Sequence, residues 1–256
     1  AIQSHLATLH NLQLSVGEIV ELTHSVRQQL QPQAEQLKAA VQSGTVVHGD
    51  ETGWRENGQN GYAWAFVTDG PQAVRYFEFD RSRSHRVARR ILGANFLGWL
   101  VTDFYAAYNL IPGRHQRCWV HLLRDLHALK ETQVANPEVG EWTTSVRQLY
   151  ADAHTWLVEH SAPSQVERCS EYNDLFTRVC RLGEQYALAY THPCCTLAKR
   201  VLRHQDELFQ FVLASGVPAD NNLAERSIRP LVIMRKISGG SRSAEGTKTR
   251  LTLASL

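Results

Sequence analysis

Apolar residues recur at helical spacing through Val16, Ile19, Val20, Val26, Leu30, Leu37 and Val41. Ser15-Val16-Gly17-Glu18 opens this run as a capping box, in which Ser15 and Glu18 satisfy each other's backbone donors. The pattern predicts a long amphipathic helical segment, bent at Pro32 and ended before Gly44. It then changes to strands: Thr45 to Asp50 is β-branched, Tyr62 to Val67 is aromatic and apolar, and Ala73 to Phe79 alternates. The dipeptides Asn57-Gly58 and Asn60-Gly61 read as turns of a hairpin, and Asp69-Gly70-Pro71 as the next turn. Ser84 to Leu92 reads as a helix stopped by Gly93, and Leu97 to Thr102 as a strand buried on both faces. A short helix over Phe104 to Leu110, a strand over His115 to Val120 and a helix lined by Leu122, Leu123, Leu126 and Leu129 follow. Three antiparallel strands followed by right-handed strand–helix–strand crossovers predict an α/β fold with a mixed five-stranded sheet flanked by helices.

From about Glu138 to Leu213 strand signals vanish and apolar residues keep helical spacing, from Trp142 to Phe209. This block reads as a helical insertion or small helical subdomain, broken at Gly216-Val217-Pro218. Asp220 or Asn221 then caps a short helix that Pro230 terminates, and Ser238-Gly239-Gly240-Ser241 reads as a flexible loop.

Composition narrows the class. The 256 residues are 43% hydrophobic and 20% charged, which excludes a disordered polyelectrolyte and permits a substantial core. No apolar run reaches the ~18–20 residues that span a bilayer, and the N-terminus shows no signal peptide. Five scattered cysteines read as reduced cytoplasmic thiols. Cys118-x-x-His121 has half of a zinc spacing that no second pair completes. With no initiating Met, the chain reads as a fragment of a longer protein. The net charge of +2 hides an asymmetry: residues 220–256 carry seven Lys/Arg against three Asp/Glu, and the rest is net negative by two.

Two acids do not fit a solvated surface. Asp50 and Asp103 each end an apolar strand. If those strands are neighbours, the carboxylates converge, and like charges so close are costly unless a cation lies between them. Oxygen donors of this kind suit Mg²⁺ or Mn²⁺. The alternative is that each Asp caps a strand or begins a turn. A third element, Asn222, Glu225, Arg226 and Arg229, falls along one helix face and offers either a carboxylate ligand beside phosphate-binding arginines or a Glu225–Arg229 surface pair. The run Arg81, Arg83, Arg86, Arg89 and Arg90 reads as a solvated helix face, and Trp54 as packing.

Asp50-Glu51-Thr52, Thr102-Asp103-Phe104-Tyr105-Ala106-Ala107-Tyr108, Cys118-Trp119-Val120-His121-Leu122-Leu123-Arg124 and Asn221-Asn222-Leu223-Ala224-Glu225-Arg226-Ser227-Ile228-Arg229-Pro230 resemble, in order, the motifs of the IS66-family insertion-sequence transposases. Arg235-Lys236-Ile237-Ser238-Gly239-Gly240 continues the likeness. The resemblance implies a DDE catalytic domain of ribonuclease-H-like fold over residues 44–256, an N-terminal helical segment over 1–43, and an all-helical insertion, about 138–216, before the last catalytic helix. It implies Asp50, Asp103 and Glu225 as catalytic metal ligands, holding two divalent cations, Mg²⁺ or Mn²⁺, about 3.5–4 Å apart. Arg226, Arg229, Arg235, Lys236 and His121 are the candidate DNA contacts. The implied activity is cleavage at element ends and strand transfer into target DNA, by a homo-oligomer on double-stranded DNA, in the cytoplasm at the nucleoid and without a membrane partner. A truncated non-catalytic DNA-binding remnant and a stand-alone ribonuclease-H-like nuclease are the alternatives.

Overall fold

The computed structural model describes residues 2–256. Five strands form one mixed open sheet in the order β3-β2-β1-β4-β5. They are β1 (Val46–Glu56), β2 (Gln59–Thr68), β3 (Arg75–Asp80), β4 (Trp99–Thr102) and β5 (Arg114–Arg117). β2 and β3 pair antiparallel, whereas β1 with β4 and β4 with β5 pair parallel. Asn57 and Gly58 join β1 to β2, both at positive φ (48° and 76°), the primed turn that the right-handed twist of a hairpin requires. The five strands and the mixed pairing agree with the expectation from the sequence pattern.

By density of internal contacts the chain divides into two compact units. The first comprises the described residues up to Gly44, then Gly49–Phe96 and Leu223–Leu256. Its helices are α1 (Ile2–His10), α2 (Val16–Gln29), α3 (Gln31–Gln42) and α4 (His85–Leu92), and, after the second unit's helices α5 to α10, α11 (Asn222–Ser238) and α12 (Ala244–Ser255). The capping box at Ser15 and Glu18 is formed. The helical segment expected to bend at Pro32 is two helices that meet at Leu30, and Pro32 lies in the first turn of α3, where its missing N–H costs nothing. A core of Trp54, Ala63, Ala65, Phe77, Ile228, Leu231 and Leu251 holds this unit, so Trp54 is packing, as expected.

Three expectations fail in this unit. Asn60-Gly61 is not a turn but lies within β2. A Cβ on Gly61 would stand 2.5 Å from the Phe79 ring across the pair, so glycine serves close packing there. Pro230 does not end its helix. α11 runs through it to Ser238, with Pro230 exposed and Ile228 and Leu231 buried on the other side. That burial offsets the ~3 kcal/mol a helix-interior proline costs. The glycine-rich segment before α12 is tied down rather than flexible: Asn57 N–H donates to Ser241 O, Ser241 N–H donates to Arg55 O, both at 2.8 Å, and Trp54 Nε1 donates to Ser241 Oγ at 3.3 Å. Gly240 has φ +109°, and a Cβ there would lie 2.1 Å from the Arg55 carbonyl oxygen. Gly240→Ala is therefore expected to destabilise the protein by at least about 2 kcal/mol, read as a fall in Tm, because a backbone carbonyl cannot swing aside.

The second unit comprises Thr45–His48 and Leu97–Asn222. All four residues of β4 are buried, as the apolar run predicts. The expected short helix after it is a 3₁₀ turn, Ala106–Leu110. β5 is shorter than expected, because Trp119 already begins α5 (Trp119–Thr132). Helices α6 (Pro137–Glu159), α7 (Gln165–Ala187), α8 (Cys195–Arg203), α9 (Gln205–Leu208) and α10 (Gln210–Leu213) follow without a strand. Trp119, Trp142, Val146, Leu175, Val179, Val201, Phe209 and Val212 lie at the centre of this unit's core. None of the five cysteines forms a disulfide among the described residues. No helix among the described residues is long and apolar enough to cross a membrane.

Candidate active site

Asp50 is the fifth residue of β1, half-buried, and its Oδ1 accepts from Glu51 N–H at 2.8 Å. Successive side chains of a strand point to opposite faces. Glu51, on the other face, is almost fully buried and accepts from Arg83 Nε and Nη2 at 2.8 and 2.6 Å. The alternation separates the two acids: Glu51 is committed to an arginine. Arg81 likewise pairs with Glu56, and Arg90 with Glu78 and Asp80. The basic run that reads as a solvated face in sequence thus serves largely to neutralise acids of its own unit.

Asp103 follows β4 directly and is half-buried. Its Oδ1 accepts from Tyr105 N–H at 2.9 Å, an Asx turn that fixes the carboxylate as the chain leaves the sheet. Arg117, fully buried at the end of β5, holds this turn from within the fold. Its Nη1 donates to Asp103 O at 2.9 Å and Thr102 Oγ1 at 3.1 Å, and its Nη2 donates to Asn109 Oδ1 at 2.7 Å. Its Nε donates to Glu207 Oε2 at 2.6 Å, and His204 Nδ1 lies 2.7 Å from the same oxygen. Burial by itself pushes the Glu207 carboxyl up, but hydrogen bonds from His204 and Arg117 and the Arg117 charge outweigh it and hold it at about 2. Phe104 packs edge-on against His204 and lies beneath Arg200. The Thr102–Tyr105 segment is therefore anchored by charge, hydrogen bonds and aromatic contact within its own unit.

The segment leading into α11 is anchored as well. Asn221 is buried; its N–H donates to Cys118 Sγ at 3.2 Å, and its Oδ1 lies 3.1 Å from His48 Nδ1. Trp119 N–H donates to Ala219 O at 3.0 Å, and Asp220 Oδ1 accepts from Asn222 N–H at 2.9 Å. Asn221 thus ties the start of β1 to the β5–α5 junction. Sequence reasoning passed over His48 and Arg117, and took Asn221 only for a helix cap and a motif residue. For His48 the available signal was a polar residue after the apolar Val46-Val47 of a strand, a position where a buried partner is needed.

Glu225 is the fourth residue of α11 and half-buried, in the first turn, where the helix dipole favours a carboxylate. Arg226, Arg229 and Lys236 are exposed along the same helix. Arg235 is half-buried and reaches β1: its Nη1 is 3.1 Å from where a Cβ of Gly53 would stand. His121 lies in the first turn of α5, one turn after Cys118. At Asp50, and separately at Asp103, one carboxylate oxygen is fixed by a backbone N–H.

A family model described as "Transposase IS66 family" matches residues 2–249. Among curated proteins, the uncharacterized proteins y4qI and y4jD of Sinorhizobium fredii are each 28% identical to the chain over 89% of its length, covering 47% and 49% of their own. The uncharacterized protein y4jO of the same organism is 27% identical over 56% of the chain and 42% of its own length. The chain spans about half the length of these relatives, or less.

Proposed function

The chain belongs to the IS66 transposase family, and on that premise we propose that it cuts DNA at insertion-element ends and joins the freed 3′ ends to target DNA. Asp50, Asp103 and Glu225 are the catalytic carboxylates in this reading. The observation that carries it is the parallel register of β1 and β4, which pairs Val46 with Trp99, Val47 with Leu100 and His48 with Val101. Two residues beyond the last pair, each strand reaches an aspartate: Asp50 on one, Asp103 on the other. Glu225 enters in the first turn of the helix that follows Asn221, the residue tied to His48 at the base of β1. The strand order, with its antiparallel hairpin and two parallel crossovers, supports a ribonuclease-H-like reading of the sheet, and the helices from Pro137 to Leu213 that of an insertion before the last catalytic helix.

The fitting cofactor is a pair of Mg²⁺ or Mn²⁺ ions, held by the three carboxylates. Bound there, such ions supply Lewis-acid stabilisation of the attacking and leaving oxygens. The chain's own residues position the reaction. The Asx turn at Asp103 and the Arg117 network beneath it keep one carboxylate at a fixed angle, which is what an in-line displacement demands. Arg226, Arg229, Arg235, Lys236 and His121 are assigned to phosphates, where they hold DNA without reading its sequence. Direct transesterification needs no protein nucleophile. Joining two element ends calls for a homo-oligomer on double-stranded DNA, acting in the cytoplasm at the nucleoid.

The test is incubation with Mg²⁺ or Mn²⁺ and duplexes carrying the element's ends. Nicked and joined strands are expected. Nicking of random duplexes without joining would make the chain a stand-alone nuclease, and retention of DNA without cleavage would make it a binding remnant.

A further inference from the structure

A second charged feature lies in the helical part of the second unit. A cleft of about 550 Å³ opens between α5 and α6. Arg124, His127 and Lys130 of α5 line one wall, and Thr144, Arg147 and Gln148 of α6 the other. Leu126 and Thr143 are the buried residues at its floor. Arg124, His127, Lys130 and Arg147 are all exposed, and no ion pair engages any of them among the described residues. No Asp or Glu lines the cleft; Glu141 lines only the shallower depression that continues past Lys130. Asp125, within the same helix, is occupied by Arg200. Elsewhere in this unit Arg117 is paired with Glu207, and Arg178 with Asp152 and Asp174. Arg124, Lys130 and Arg147 thus bring three cations without an ion pair among the described residues, and the His127 imidazole, to one cleft.

We propose that the α5–α6 cleft is a phosphodiester-backbone site, apart from the catalytic carboxylates, that holds a nucleic-acid strand. From Arg124 to Lys130 the helix rises about 9 Å, a span that covers two to three phosphates of one strand at about 3.4 Å each along the axis of a duplex. Arg147 faces them from α6, and the Thr144 hydroxyl and Gln148 amide add neutral donors of the kind that fix register on a backbone. The cleft is open and its floor small, which suits a polymer passing through rather than an enclosed metabolite. The choice of DNA as the polymer rests on the transposase reading above.

The experiment measures binding of a random-sequence duplex to the full chain without divalent metal, across a salt series, for wild type and Arg124→Gln/Arg147→Gln. Arg181→Gln, an exposed arginine of α7, is the control. The double variant is expected to bind at least about tenfold more weakly at 0.1 M salt, with the slope of log K against log salt reduced by about two and Arg181→Gln unchanged. Equal affinity and slope for wild type and double variant would overturn the cleft assignment while leaving the transposase reading intact. Absence of salt-dependent duplex binding by the wild type would instead remove the DNA premise itself. A titration with inorganic phosphate, followed by NMR of the His127 ring, separates the two sources of phosphate. Perturbation by the duplex supports the proposal, and perturbation by millimolar phosphate alone, with none by the duplex, would assign the cleft to a small anion.

Discussion

Asp103→Asn is expected to lower strand cleavage by at least about a thousandfold while leaving the fold intact. A thousandfold is about 4 kcal/mol of transition-state stabilisation, of the size that a bound divalent ion supplies. The substitution is matched to the geometry. Asparagine keeps the Oδ1 that accepts from Tyr105 N–H, so the Asx turn survives and only the charge is lost. Asp50→Asn keeps the acceptor for Glu51 N–H in the same way, and Glu225→Gln keeps the helix. A stability measurement distinguishes loss of a ligand from loss of structure. If the carboxylates converge, their mutual repulsion destabilises the metal-free protein, so each neutral variant should melt at or above the wild-type Tm without metal. Added Mg²⁺ should then raise the wild-type Tm more than that of any variant, since only binding to the folded state shifts it. A variant that cleaves at the wild-type rate would remove its residue from the site.

Arg117→Met is expected to have the largest effect on stability, about 3–5 kcal/mol by urea denaturation. The guanidinium is fully buried and uses its Nε and both Nη groups, so removing it leaves Glu207 with His204 alone and takes the Arg117 donor from Asn109 and the Thr102–Asp103 turn. The pH dependence carries the same signature. Glu207 titrates at about 2 in the folded protein against an ordinary 4.5. A folded-state pKa below the unfolded one means the stabilisation is complete above about pH 4.5 and is lost as pH falls toward 2. At about 1.4 kcal/mol per unit, wild type should lose at most about 3 kcal/mol across that window from this group. The loss should shrink in Arg117→Met, because the charge and one of the two side-chain hydrogen bonds that hold the carboxyl down are gone. Equal acid sensitivity in both proteins would contradict the role given to the pair.

Much of the sheet was legible because its signal is apolar. In Leu97 to Thr102 and Thr45 to Asp50 the apolar Trp99, Leu100, Val101 and Val47 are buried as their types announce, although Leu97 at the head of its run is exposed; Asp103 follows the first run and Asp50 ends the second. The elements that were misread owe their structure to tertiary contacts. Pro230 argues locally against a helix, and only the burial of Ile228 and Leu231 against Trp54 and Phe77 carries α11 past it. α12 was invisible because its buried face is built largely of hydroxyls: Thr247, Thr249, Thr252 and Ser255 show no hydrophobic period. In place they are satisfied, with Ser255 Oγ donating to Leu251 O and accepting from Phe77 N–H, and Thr249 Oγ1 set against His24 Nδ1. Of the candidate site, the three acids stood out in sequence, whereas the residues that orient their segments did not. Arg117, His48 and Asn221 are buried polar groups whose partners lie far away in the chain, and no local pattern connects Asn221 to His48 across 173 positions.

The most direct measurement of the central claim is Mn²⁺ binding, followed by electron paramagnetic resonance, to the full chain with an element-end duplex bound. Two Mn²⁺ ions per chain, with magnetic coupling between them, are predicted for the wild type. Asp50→Asn, Asp103→Asn and Glu225→Gln should each lose the coupled signal. A coupled pair that persists undiminished in all three variants would contradict the assignment of Asp50, Asp103 and Glu225 as one metal site.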